Sequence, residues 1–336
     1  MPFLQTIGGG SSKGFANRLA LKYYTTTFNY TGAVQTFTIP AGTQNMTAHV
    51  FGPGGAATGD TSNTYGGAGG YTVGQINPVA GGSFKIIVGG GGKVGQQLNG
   101  CGGGYSAVAT PNWAGSNIST DHGAIILAAG GGGGAGDHEV ATGFGGAGGG
   151  TTGQQGGYSG QARSGSGPGG GQSGGGSYPG QAGGGACSGG TSLCSGYELR
   201  GGQSCGNSPN VSSGNQGWPN QIYGGNWAAA AGGGGCNGGG GGAGYYGGSG
   251  AGHTSATNGN SGCGGGGSGY TGGSGSYTTS NVGTHNGNQH NVSSQATNSG
   301  YLTSGVNVGG VYNTDVGNGN HAGGNGKVVL YYLAPT

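Results

Sequence analysis

Charge is nearly absent from this sequence. Asp, Glu, Lys and Arg together make up 4% of 336 residues, with eight basic residues against six acidic ones and a formal net charge of +2. Without a basic run the chain has nothing to lay along a row of phosphates, so no nucleic-acid partner is expected. Apolar residues are thin as well, at 31%, and no stretch nears the ~18 consecutive apolar residues of a membrane-spanning helix. No membrane insertion is expected. The opening MPFLQTIGGGSSKGF lacks a charged region followed by an apolar one, so no Sec export signal is expected either. Proline is scarce, at 10 residues, and the 101 glycines follow no sustained G-X-Y phase, which excludes collagen. No two cysteines stand in C-x2-C spacing, and this argues against a tetrahedral zinc site.

What the chain has instead is glycine, sparse in the first 50 residues and dominant from 130 to 326. Glycine removes side chains, so burial of apolar surface cannot be the main force ordering that stretch. If it folds, backbone hydrogen bonds hold it together, which points to a structural or adhesive protein rather than an enzyme.

Residues 1–22 read as a head, with Gly8 to Ser12 as a flexible link. From Tyr23 the texture is that of strands, β-branched and aromatic runs broken by Gly and Pro. The runs predict strands over 34–39, 46–51, 70–76, 83–88, 105–109 and 123–129. Phe84, Ile86 and Val88 fall on one side and Lys85 on the other, the mark of a half-buried sheet. Pro40-Ala41-Gly42 and Pro78 to Gly82 supply turn chemistry between them. The apolar signal returns only in Lys327-Val328-Val329-Leu330-Tyr331-Tyr332-Leu333, a last strand that needs the sheet before residue 130 as its partner. The fold class expected is mainly β: a small β-sandwich (23–129 and 327–336) with a long glycine-rich insertion (130–326) forming a bundle of polyglycine II helices. In such a left-handed threefold helix every N–H and C=O points outward and must be satisfied by a neighbour. The runs 131–136, 145–150, 234–244 and 262–269 are the candidate helices, and the polar tract 281–301 an exposed turn.

The segments FTIPAGTQNMTAHVFGPGG, GGYTVGQINPVAGGSFKIIVGGGG, GGGYSAVA, AIILAAGGGGGAG and GGNGKVVLYYL resemble, in that order, the glycine-rich domain of phage tail and tail-fibre proteins. The family includes tail-fibre adhesins in which polyglycine II helices form a sandwich and loops at its end bind the host. The resemblance spans roughly residues 30 to 333 and implies a virion fibre or appendage protein. It implies partners among other virion proteins, reached through the N-terminus, and a host surface glycan or outer-membrane protein. A homo-oligomer, a trimer by fibre symmetry, is expected because edge strands need cover. The location expected is the virion. The alternatives are a self-assembling extracellular matrix or filament protein, and a secreted receptor-type ligand-binding domain, which would require disulfides.

No catalytic, cofactor or metal site is expected. In a chain so rich in glycine, GxGxxG falls by chance about nine times, and a Ser, His and Asp can be chosen by hand without any spacing to single out one set. Asp121-His122 and Asp137-His138-Glu139 flank one glycine run. They are expected as solvated turns rather than as cation ligands. The six cysteines (Cys101, Cys187, Cys194, Cys205, Cys236, Cys263) allow 15 pairings, with thiols and disulfides both open. Five Asn-x-Ser/Thr sites, at Asn29, Asn45, Asn117, Asn210 and Asn291, are no more than chance supplies. The functional lead is the aromatics expected to be exposed: Trp113, Trp218, Tyr223, Trp227, Tyr245, Tyr246, Tyr270, Tyr301 and Tyr312. Flat rings there can stack on sugars, or cap backbone bonds against water. Trp218, Tyr223, Trp227, Tyr301 and Tyr312 are the candidates for surface recognition, and Phe3, Leu4, Ile7 and Phe15 for attachment to the particle.

Overall fold

The computed structural model describes residues 20–58, 64–93, 100–115, 118–136, 143–158, 167–174, 176, 195–202, 238–251, 262–285, 287 and 322–336. It is mainly β, almost without helix, in open antiparallel sheets. Among the described residues, no helix is long and apolar enough to cross a membrane.

Five strands make the first sheet: β1 (Leu21–Asn29), β3 (Gln44–Phe51), β5 (Tyr71–Ile76), β11 (Thr279–His285) and β12 (Lys327–Pro335), in the order β1-β12-β3-β5-β11. The second holds β2 (Gln35–Thr38), β6 (Ser83–Ile87), β7 (Ser106–Ala109) and β8 (Ile125–Ala129), in the order β2-β6-β7-β8. A third, small sheet joins the two-residue strands β4 (Thr64–Tyr65), β9 (Gly143–Phe144) and β10 (Gly157–Tyr158), with β4 and β9 parallel. One short helix, α1 (Ile118–Gly123), precedes β8.

The returning apolar run finds the partner it needs. β12 lies between β1 and β3, antiparallel to both, with Leu330 opposite Thr26 on one side and Ala48 on the other. Its alternation divides it between two faces, with Val329 on the outer one covered by Phe51 and Tyr71. Val328, Leu330, Tyr332 and Ala334 enter the core, while Tyr331 is exposed. Facing them from the second sheet are Phe37, Phe84, Ile86, Val108 and Ile126. Within the second sheet Phe37 stacks on Phe84 with centroids 6.4 Å apart, and across the space it meets Tyr332 edge-on at 5.4 Å.

The second sheet is buried on its other face too. Ile87, Ala107, Ala109 and Ile125 pack there with Tyr105, Trp113, Leu199 and Ala243, which is why β7 and β8 read as unbroken apolar runs. Three features depart from the reading of the sequence. β1 begins at Leu21, inside the expected head. β11 occupies the start of the tract expected as an exposed turn: its polar residues are held by backbone pairing with β5 and by Thr72 and Thr284, whose hydroxyls lie 3.0 Å apart. Trp113, expected on the surface, is 6% exposed.

At one end of the sheets the strands run directly into glycine segments. β3 continues as 52–58, β6 as 89–93 and β8 as 130–136, while 66–70, 100–104 and 322–326 lead into β5, β7 and β12. Facing sheets normally stand about 10 Å apart because side chains fill the gap. Here the side chains end and the gap closes. Segments that continue opposite sheets bond directly, as in Gly132 N–H to Pro53 O (3.0 Å), Ala56 N–H to Cys101 O (2.8 Å) and Gly323 N–H to Gly92 O (2.9 Å).

The bonding repeats every three residues. In 130–136, Gly131 and Gly134 donate to Ala243 and Gly240 of one neighbour, Gly132 and Ala135 to Pro53 and Ala56 of a second, and Gly133 to Gly146 of a third. Its carbonyls follow the same step: Gly130 and Gly133 accept from Gly70 and Gly67, Gly131 and Gly134 from Gly267 and Gly264, and Gly132 and Ala135 from Gly103 and Gly100. Six segments therefore surround this one. The segment 262–269 is bonded in the same way, with Gly264 and Gly267 both donating to 130–136, Gly265 to Ser249 and Gly266 to Gln154.

Candidate functional site

Where the glycine segments meet the outer face of the second sheet, four rings gather. Tyr270 is fixed by a two-way backbone bridge with Ala128 of β8 (2.8 and 3.0 Å), and its hydroxyl donates to Gly273 O at 3.2 Å. Tyr245 lies flat on Tyr270, with centroids 3.8 Å apart and planes 8° apart. On its other face lies His122, from α1, at 3.9 Å. Tyr246 meets both Tyr245 and His122 edge-on, at 5.4 and 4.9 Å. All four rings are half-buried.

The backbone sets this cluster. Tyr245 N–H donates to Ser268 O (3.0 Å), and Leu199 N–H to Tyr245 O (3.2 Å). Glu198 bridges to Tyr246, and the Arg200 guanidinium sits 5.8 Å from the centroid of the exposed Tyr197 ring. Burial lowers the pKa of His122, with Glu198 and a backbone bond to Tyr245 pulling the other way, so its imidazole is held toward the neutral form that stacks on an aromatic face. Burial raises the Tyr245 hydroxyl. At neutral pH the cluster is thus an uncharged aromatic shelf with Glu198 and Arg200 at its margin.

Asp121 corrects an expectation. It is 3% exposed rather than solvated, and its Oδ1 accepts the Ala114 N–H at 2.7 Å. That bond ties α1 to the loop that buries Trp113, so this carboxylate is held by the chain itself. Asp137, His138 and Glu139 lie outside the described residues, and among the described residues no three His, Cys, Asp or Glu side chains converge on one point. Cys101 is buried, and Cys263 is a buried free thiol. Burial pushes Cys263 up to about 11, against the opposing pull of the Gly136 and Phe144 backbone groups, and its Sγ accepts from Gly136 N–H at 3.3 Å.

A second group of rings lies on the outer face of the five-stranded sheet. His49 Nδ1 is 2.6 Å from the Tyr71 hydroxyl, its ring meets Tyr331 edge-on at 5.1 Å, and Tyr71 stacks on His285 at 6.0 Å. Burial lowers the pKa of His49.

Of the residues singled out in the sequence, Tyr245, Tyr246 and Tyr270 come together, joined by His122. Tyr197 and Arg200 were missed, although SGYELRGG stands out as an island of bulky side chains among glycines. His49, Tyr71 and His285 were missed because they stand in three separate strands, and only the register aligns them. Trp218, Tyr223, Trp227, Tyr301 and Tyr312 lie outside the described residues, as do Phe3, Leu4, Ile7 and Phe15. No protein-family model matches the chain, and the search of curated proteins returned no match.

Proposed function

We propose that the glycine segments are polyglycine II helices and that the chain is a structural virion appendage protein, part of a tail fibre or another fibre of a phage. The observation that carries this reading is the bonding of 130–136 to six neighbouring segments, with residues three apart sharing one neighbour. A threefold extended helix has that geometry, since each of its three rows of N–H and C=O groups points in a different direction. A body built this way needs few apolar side chains and no ligand, and its stiffness comes from backbone bonds in every lateral direction. The resemblance of the ordered segments to the glycine-rich domain of phage tail and tail-fibre proteins supplies the context.

In this account the two facing sheets form a β-sandwich base and the glycine array forms the body. The N-terminal segment ahead of β1 attaches the chain to other virion proteins. The tracts carrying Trp218, Tyr223, Trp227, Tyr301 and Tyr312 meet a host surface glycan or outer-membrane protein, and the shelf of Tyr245, Tyr246, Tyr270 and His122 caps the array where its backbone bonds end. The protein works as a homo-oligomer. Fractionating the native source on a density gradient tests the assignment. The chain is expected to co-migrate with DNA-containing particles, and recovery only in a DNA-free filament fraction would replace it with a matrix or filament protein.

A further inference from the structure

We propose that β1 is a docking edge for the β1 of a second copy of this chain, paired antiparallel about a twofold axis at Tyr24 so that two five-stranded sheets become one of ten. This gives the proposed homo-oligomer a twofold surface in place of the trimer expected from fibre symmetry, and it rests on the geometry of one edge rather than on the virion assignment.

The two large sheets present four edges, β1 and β11 in one and β2 and β8 in the other. Three are short, broken or covered. Along β8, Ala128 exchanges bonds with Tyr270, and Ile126 O accepts from Gly273 N–H at 3.1 Å. β2 is four residues long. β11 breaks register between Ser280 and Gly283, with Asn281 at a φ of 47°, the kind of bulge that blocks further pairing. β1 differs in each respect. It is nine residues long, contains no proline, and pairs with β12 along all nine without a break. Among the described residues, two of the five large apolar side chains left exposed, Leu21 and Tyr23, lie on it, and Tyr23 is 79% exposed.

Its unused groups can be named. Ala20 O accepts from Thr336 N–H at 3.0 Å, so the even-numbered residues Lys22, Tyr24, Thr26 and Phe28 bond to β12 and the odd-numbered ones direct N–H and C=O away. The proline agrees, since Pro335 has no N–H and stands opposite odd-numbered Leu21. Asn29 O is already taken by Gln35 Nε2 at 2.9 Å. Among the described residues, Leu21, Tyr23, Thr25 and Thr27 remain. A twofold axis at Tyr24 pairs Leu21 with Thr27 and Tyr23 with Thr25 of the second copy, and the reverse, which uses these four residues and no others. The side chains suit that register. An aromatic ring meets a β-branched residue, and Lys22, the strand's one charge, lies opposite Thr26 rather than another lysine.

Sedimentation of the full chain tests this. The wild type is expected as a dimer, and Thr25→Pro, which removes an outward N–H and no bond to β12, as a monomer. Tyr24→Cys brings two sulfurs together at a non-bonded pair on the axis, where Cα atoms stand about 4.5 Å apart, so mild oxidation is expected to link two chains. Thr27→Cys and wild type under the same treatment should stay unlinked. A monomeric wild type would overturn the proposal, as would an oligomer whose mass Thr25→Pro leaves unchanged. If Thr25→Pro does not fold, the Tyr24→Cys result decides: a linked dimer supports the edge, and its absence rejects it.

Discussion

Gly133 shows why this chain uses glycine. Its φ is not in the left-handed region, and among the described residues only eight glycines are: Gly32, Gly42, Gly81, Gly115, Gly149, Gly150, Gly273 and Gly275. In the array the residue is chosen for space. A Cβ on Gly133 would sit within the carbonyl group of Gly264, and one on Gly267 within that of Ala243. Both neighbours are backbone, which cannot swing aside. Gly133→Ala is therefore expected to cost about 3 kcal/mol through overpacking and a displaced hydrogen bond. Gly123, at the end of α1, has nothing within 4 Å of such a Cβ, and Gly123→Ala is expected to be neutral or to stabilise by up to about 1 kcal/mol. Urea unfolding of the two variants checks the contrast. This much was legible in the sequence, because close approach of backbones is the one property that glycine runs without prolines share. Which glycine faces which carbonyl was not, since identical residues carry no register.

The strands divide by how much apolar signal they hold. β12 was legible as a strand and as a partner to the early sheet because Val328, Leu330 and Tyr332 alternate with less buried residues. Leu330 is fully buried between β1 and β3. Leu330→Ala is expected to destabilise by about 2–5 kcal/mol, and Tyr331→Ala, on the exposed face of the same strand, by less than about 1 kcal/mol; thermal melts of both would show it. β11 was hidden for the opposite reason. Apart from the exposed Val282 its residues are polar or small, and it is held by ladder bonds to β5 and by Asn281 Nδ2 donating to Gln75 Oε1 at 2.6 Å. Such a strand has no periodicity to read. The aromatic shelf lies between these cases. Tyr245, Tyr246 and Tyr270 were visible as rings among glycines, but His122 joins them only because α1 and β8 fold back beneath the array.

At the scale of the whole molecule, one physical change organises the fold. Side chains hold two sheets apart over a core of Phe37, Phe84, Ile86, Val50 and Leu330, and where the strands pass into glycine their continuations bond directly to one another, with six segments around 130–136. Conformational entropy opposes this more strongly for glycine than for any other residue, so the bonded glycine segments stand on cooperativity and on the sheets that align them. The most direct test is hydrogen exchange of the glycine amides. The amides of Gly131, Gly132, Gly133 and Gly134 and of Gly264 to Gly267 are predicted to be protected to the same degree as those of Val50 in β3 and Val328 in β12. Exchange of these glycines at the rate of a free peptide, while β3 and β12 remain protected, would contradict the account.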